Sequence, residues 1–236
     1  YLNDDIDGER AIILEESRLG KGANDRMFKK ILPHLFEGSK YGDRLPIGKD
    51  SIIKNFKHDV IKRFYKDWYR PDLMAVIVVG DIEPSKAEEM VKKHFSNLTM
   101  PANPRKREYA TMPAYTANNA VVATDKEATN YFVAINYPAY KEETPTTIGH
   151  YRKYLINQIY STLLNQRLEE LTQKQNPPFV YGGVGFESYG RGYGAFNAQA
   201  SSGTGDPKKA LEALVEEIER VRRFGFTAAE LERTKK

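Results

Sequence analysis

The chain has 236 residues, of which 40% are hydrophobic and 29% are charged, and it contains no cysteine. This composition is typical of a globular protein, and the lack of cysteine excludes a disulfide framework, a thiolate metal site and a cysteine nucleophile. The 36 basic and 32 acidic side chains give a net charge of +4, and both signs alternate along most of the chain, which argues against a nucleic-acid-binding surface.

The first part of the chain is predicted to be mainly helical. Apolar residues at helical spacing predict helices over residues 8–18, 24–35, 51–69 and 84–95. Asp7 can cap the first of these helices, and Pro84 suits the first turn of the fourth. The apolar run at 73–79 predicts a strand, and it is far shorter than the roughly 20 residues that a membrane-spanning helix needs.

A proline-flanked segment divides the chain. Residues 97–113 contain three prolines and the basic run Arg105, Lys106 and Arg107. This composition is typical of a linker. We therefore predict two domains, over residues 1–104 and 105–236.

The second part alternates between strands and helices. Strands are expected at 120–124, 131–137, 179–187 and 194–201, and helices at 147–172, 207–223 and 227–236. The last two strands should form a hairpin across 188–193, and Thr227 should cap the last helix. With few strand–helix–strand crossovers, the pattern predicts an α+β fold with antiparallel sheets and helices packed on one face.

The first helix carries a pair of carboxylates, Glu9 and Glu16. Seven residues make nearly two helical turns, so both project from one face, whereas Glu15 lies about 100° away from Glu16. Apolar residues surround Glu16 on the helix, namely Ile12, Ile13 and Leu19. A carboxylate in an apolar stripe is costly unless a cation or a donor meets it. A solvated acidic face remains the alternative interpretation.

The other catalytic motifs are absent from the sequence. The four histidines share no metal-binding spacing, and neither H-E-x-x-H nor H-x-x-E-H occurs. The chain therefore cannot assemble an ordinary zinc hydrolase site by itself. Nucleotide-binding glycine motifs and the serine hydrolase motif G-x-S-x-G are also missing.

Residues 8–16, GERAIILEE, resemble the second metal-binding motif of the pitrilysin/insulinase family of inverted zinc peptidases. In that family a second Glu follows the Glu of Glu-Arg by seven positions. Further similarities continue in order and extend over essentially the whole chain. They are YGDRLPIG at 41–48, FYKDWYRP at 64–71, MAVIVVGDI at 74–82, NQRL at 165–168 and FTAAELER at 226–233.

This resemblance implies a zinc-dependent metalloendopeptidase that hydrolyses peptide bonds with a metal-activated water. The family's H-x-x-E-H helix supplies two His ligands and a Glu base; Glu16 would be the third Zn²⁺ ligand, and Glu9 a supporting catalytic carboxylate. That helix would lie before Tyr1, so residues 1–104 would be the C-terminal half of the catalytic domain and residues 105–236 most of the next homologous domain. A chain that starts without Met and stops inside a predicted helix is interpreted as a fragment, which we expect to be inactive alone and to bind zinc weakly.

The alternative is a non-catalytic homologous unit that helps to enclose the substrate chamber of such a peptidase. The presence of both Glu9 and Glu16 favours the active unit. The expected partners are a peptide or unfolded-protein substrate and the remaining domains of the same protein, without nucleic acid.

Two details of the second domain refine the comparison. Many members carry Leu-Arg where this chain has Leu171-Thr172, although Tyr181 can occupy the position of the family's Tyr. Asn-Pro-Pro-Phe at 176–179 is most similar to large bacterial members that are often periplasmic. The resemblance therefore implies a periplasmic or cell-envelope location.

Overall fold

The computed structural model describes residues 2–115 and 117–235, which form two compact units. Unit 1 consists of the described residues of Tyr1–Gly20 and Pro46–Tyr109, and unit 2 of those of Lys21–Leu45 and Ala110–Lys236. The predicted boundary after residue 104 separates two homologous domains. Compactness does not test homology, so that boundary stays a prediction.

Helices dominate both units, and a single sheet lies in unit 2. The described residues form the helices α1 (Asn3–Leu19), α2 (Ala23–Leu35), α3 (Asp50–Asn55), α4 (His58–Trp68), α5 (Pro84–Phe95), α6 (Ile148–Thr172), α7 (Pro207–Phe224) and α8 (Ala228–Thr234). The strands are β1 (Tyr131–Asn136), β2 (Tyr140–Lys141), β3 (Tyr181–Gly190) and β4 (Tyr193–Gly203). In the part of the chain that is described, no helix is both long enough and apolar enough to cross a membrane.

The sheet of unit 2 is antiparallel and is organised around β4. β3 pairs with one edge of β4, and β1 and β2 pair with the other. The core lies between this sheet and helices α6 and α7, and it contains Leu164, Leu168, Phe179, Val184, Ala198, Ala200, Ala210, Leu214 and Val221. The small alanines of β4 leave room for bulky helix side chains. The predicted α+β class with an antiparallel sheet is confirmed.

Several local predictions are also confirmed. Helices α2, α5, α6 and α7 begin and end within a residue of their predicted bounds. Thr147, predicted as the first residue of its helix, is the N-cap of α6, since its hydroxyl accepts a hydrogen bond from the His150 N–H at 3.2 Å. Thr227 caps α8 in a capping box with Glu230. The predicted last residue of this final helix, Lys236, lies outside the described residues.

The first helix begins earlier than predicted. Asp7 lies inside α1 rather than at its cap, and the Asp5 carboxylate accepts a hydrogen bond from the Leu2 N–H at 3.2 Å. The hairpin turn is also tighter than predicted. It consists of Arg191 and Gly192, and Gly192 has a positive φ of 75°, a conformation that favours glycine.

The single long helix predicted over 51–69 is wrong. Helices α3 and α4 occupy this range, and the backbone is extended at Phe56 and Lys57 between them. The guanidinium of Arg10 donates to the carbonyl oxygens of Ile53 and Phe56. In a continuous helix these two carbonyl oxygens would accept hydrogen bonds from N–H groups of the next turn. Arg10 supplies hydrogen bonds to them instead, so they remain satisfied where the helix ends.

Two predicted strands are not in the sheet. Residues 73–79 and 120–124 have no strand partner among the described residues. The first of these runs is widely exposed, with Ile77 at 83% and Val79 at 91%. A continuous apolar run is typical of a strand buried on both faces, and a strand forms only when a neighbouring backbone pairs with it.

Candidate functional site

Helix α1 in unit 1 carries the predicted pair of carboxylates on an exposed face. Both Glu9 and Glu16 are exposed. Ile12 and Leu19 lie on the same side of the helix, within an arc of about 80° that includes both carboxylates. These two apolar side chains are 60% and 71% exposed. The face therefore combines two carboxylates with uncovered apolar surface.

The packed face of α1 points away from this pair. Ile6 and Ser17 are buried there, and the side chain of Arg10 is only 14% exposed. The Ser17 hydroxyl donates to the Asp50 carboxylate at 2.7 Å. Arg10 donates to Ile53 and Phe56, as described above. Helix α1 thus packs against α3 through polar as well as apolar contacts.

Asp7 connects α1 to the start of α4. Its Oδ1 accepts from Arg10 Nε at 2.9 Å and lies 2.9 Å from His58 Nε2. Arg10 and then His58 hold the pKa of the Asp7 carboxyl below its usual value. His58 therefore contacts α1 through Asp7 and not through the predicted pair.

The neighbouring acidic residue, Glu15, is engaged elsewhere. Arg18 donates to both of its carboxylate oxygens, at 2.7 and 2.6 Å, and lowers the pKa of Glu15. Within residues 2–115 and 117–235, neither the Glu9 nor the Glu16 side chain has a hydrogen bond or an ion pair. The structure therefore distinguishes Glu16 from the adjacent Glu15 by its surroundings.

The residues present can supply only part of a zinc site. A carboxylate oxygen is a normal zinc ligand, but a catalytic site takes three protein ligands. No group of three or more His, Cys, Asp or Glu side chains suitable for a metal ion occurs among the described residues. The other histidines lie on α2, α5 and α6, at positions 34, 94 and 150. Glu16 fits the chemistry of a single ligand, and the site needs further donors.

In unit 2, the structure brings together two of the motifs quoted above. Arg167 donates to the Glu230 carboxylate at 2.6 and 3.0 Å, to Glu217 at 3.2 Å and to the Gly225 carbonyl at 3.1 Å. Its guanidinium also lies 4.9 Å from the centre of the Phe226 ring. Arg167 and then the Thr227 backbone lower the pKa of Glu230 to about 2. The motif residues had suggested no role for Arg167, which links α6 to α7 and α8.

Asn165 of the same motif contacts the sheet. Its amide nitrogen donates to the Val184 carbonyl at 3.0 Å, and its amide oxygen accepts from the Val184 N–H at 2.8 Å. The side chain thus replaces a strand partner along β3. Tyr181, the match for the family's Tyr, lies on β3 and is 52% exposed.

Comparison with known proteins identifies the family. A family model described as the peptidase M16 inactive domain matches residues 55–236. The chain belongs to the M16 peptidase family. The resemblance to pitrilysin and insulinase peptidases is thereby confirmed. The matched residues begin at the end of α3, so the M16 model does not include Glu9 or Glu16.

Relatives within the M16 family include named proteases. The chain is 30% identical over 177 residues to an Arabidopsis thaliana protein named zinc protease PQQL-like. The matched residues are 75% of this chain and 18% of that protein. The crystal structure of the periplasmic protease PqqL from Escherichia coli superposes with a TM-score of 0.86 and 25% identity, over 99% of this chain and 26% of that one. The ferredoxin protease FusC, in complex with Arabidopsis ferredoxin, gives a TM-score of 0.79 and 26% identity over 98% and 26% of the chains.

These M16 relatives are much longer than the chain. The chain spans between 18% and 26% of their lengths. Any activity that their names describe belongs to those longer proteins.

Proposed function

We propose that this chain is part of a longer zinc-dependent metalloendopeptidase, to which it contributes one metal ligand and a non-catalytic unit. The observation that carries the proposal is the state of Glu16 on α1. It is exposed and unpaired within the described residues, next to exposed Ile12 and Leu19. An exposed carboxylate beside exposed apolar side chains can pack against a second surface that carries a cation to the carboxylate.

In this proposal Glu16 is the third protein ligand of a Zn²⁺ ion, and two imidazoles come from another segment of the protein. Bound zinc with one open position supplies an acidified water for attack on a peptide carbonyl. Glu9, about two turns earlier on the same face, is a supporting carboxylate that orients a ligand or holds a proton near the metal. The isolated chain, with a single ligand, is expected to bind zinc weakly and to cleave no peptide.

The remainder of the chain has a scaffold role in the proposal. The match of residues 55–236 to an inactive M16 domain supports this role. We retain residues 1–104 as the second half of the catalytic domain and 105–236 as most of the next homologous domain. The proposed partners of this chain are the other domains of the same protein and a peptide or protein substrate. The ferredoxin complex of FusC supports a protein substrate. The periplasmic location of E. coli PqqL supports the same location here.

Glu16→Gln in the full-length protein tests the proposal, and Glu15→Gln is the matched control. Zinc content and peptide hydrolysis are measured for both variants. We expect Glu16→Gln to lose most of the metal and most of the activity, because an amide is a poor zinc ligand. Glu15→Gln removes only an exposed ion pair and should retain both. Full zinc content and normal turnover in Glu16→Gln would refute the assignment.

A second candidate is supported by the same family match. If the whole chain belongs to a non-catalytic unit, Glu9 and Glu16 have no metal to bind. The sequence that precedes α1 in the full-length protein distinguishes the two, since the loss of a His or the Glu of H-x-x-E-H favours the scaffold. Wild-type protein that purifies without zinc and shows no peptidase activity would lead to the same conclusion.

A further inference from the structure

Two polar residues on the packed face of α1 repeat the spacing of the carboxylate pair. Arg10 follows Glu9, and Ser17 follows Glu16, so these residues are also seven positions apart. Unlike the carboxylates, they lie on the packed face, with the Arg10 side chain 14% exposed and Ser17 9% exposed. Each carboxylate is therefore followed by a polar residue that is mostly covered and lies about 100° round the helix.

Arg10 holds the first half of α1. Its guanidinium donates to the carbonyls of Ile53 and Phe56, where α3 ends. Its Nε donates to Asp7 at 2.9 Å, and its Cζ lies 3.8 Å from the centre of the Phe56 ring. A planar cation with several directional donors fixes its own orientation more tightly than an apolar contact does.

Ser17 holds the second half of α1. Its hydroxyl donates at 2.7 Å to Asp50, the first residue of α3. The two anchors therefore engage opposite ends of α3, and α1 runs antiparallel to it. Contacts at two levels restrain rotation of α1 about its own axis, which a single contact would not.

We propose that Arg10 and Ser17 are positioning residues that fix the rotation of α1, so that Glu9 and Glu16 face the metal. The inference rests on the proposed function. On a helix with a radius of about 5–6 Å, a rotation of about 10° moves a carboxylate by roughly 1 Å. Metal–ligand distances tolerate only about 0.2 Å. Small rotations that leave the fold intact should therefore weaken zinc binding.

The test uses Ser17→Ala and Arg10→Gln in the full-length protein, with Arg18→Gln as the control on the same helix. The zinc dissociation constant is measured by competition with a chelator, and the unfolding midpoint is measured on zinc-free protein. We expect zinc binding to weaken about 10-fold in Ser17→Ala and Arg10→Gln. Arg18→Gln should stay within about twofold, since it removes only an exposed pair with Glu15.

Conservative variants separate positioning from general stability. Ser17→Thr keeps the hydroxyl and should restore zinc affinity, and it keeps the inference testable if Arg10→Gln fails to fold. A lowered unfolding midpoint with zinc affinity within about twofold of wild type in Ser17→Ala would overturn the inference. Glu16→Gln distinguishes the two proposals: if it keeps its zinc, the proposed function fails. If it loses zinc while Ser17→Ala does not, only the positioning role fails.

Discussion

Single side chains of unit 2 hold distant elements together by charge. Arg167 on α6 meets Glu217 on α7 and Glu230 on α8, whose side chains are 4% and 16% exposed. Because these carboxylates are largely removed from water, they depend on the guanidinium for compensation. The exposed pair of Arg222 and Glu219 on α7 has no such dependence.

We therefore expect Arg167→Met to lower the free energy of unfolding by about 3 kcal/mol, because it removes the guanidinium that compensates Glu217 and Glu230 and leaves Glu217 only its longer contact with Arg220 at 3.4 Å. Arg222→Met, the exposed counterpart, should change it by less than about 1 kcal/mol. Denaturant unfolding at neutral pH measures both. Equal losses in the two variants would contradict a special role for Arg167.

The ion pair between Arg167 and Glu230 makes the free energy of unfolding depend on pH. The pKa of Glu230 falls from its usual 4.5 to about 2 in the folded protein. A lowered pKa adds stability that is complete above about pH 5 and is lost as the pH falls toward 2. The deficit of Arg167→Met relative to wild type should therefore shrink across this range in acid unfolding. A deficit that stays constant would argue against the charge pairing.

At the scale of elements, the sequence predicted the helices and caps that are determined by residues close together in the chain. The Thr227 cap and the apolar period of α6 and α7 are local signals, and these elements were found where expected. The break after α3 was missed because its cause, Arg10, lies 43 residues before Ile53. The run 74–79 has strand composition, but pairing depends on another backbone, which composition does not reveal.

The candidate site was predictable to a similar extent. Helical spacing alone placed Glu9 and Glu16 on one face and separated Glu15 from them. The anchoring roles of Arg10 and Ser17 were not predicted, because their partners Ile53, Phe56 and Asp50 are distant in sequence. The only available signal was the repeat of a polar residue after each carboxylate.

The hairpin between β3 and β4 offers a test of an element's backbone. Gly192 has φ 75°, and a Cβ added there would meet nothing within 4 Å. Gly192→Ala should therefore lower the free energy of unfolding by about 1 kcal/mol through backbone strain alone. Gly149→Ala, near the start of α6, should be neutral or slightly stabilising because Ala favours a helix. Equal effects in denaturant unfolding would contradict the assigned turn.

At the scale of the whole molecule, the chain combines an M16 inactive-domain match with a helix that precedes the matched residues. Its relatives are about four times as long, and the matched part of the chain spans 18% to 26% of their lengths. The proposed ligand set, shared between segments, would account for the exposed Glu9 and Glu16 side chains, which are unpaired within the described residues. In the proposed function, zinc would link the fold of this chain to the rest of the protein.

The most direct measurement is a crystal structure of the zinc-bound full-length protein, with the metal located by anomalous scattering. The account predicts one Zn²⁺ ion about 2.0–2.2 Å from a carboxylate oxygen of Glu16, with two imidazoles from outside this chain completing the protein ligands. A zinc ion bound elsewhere, with the Glu16 carboxylate in bulk solvent, would contradict it.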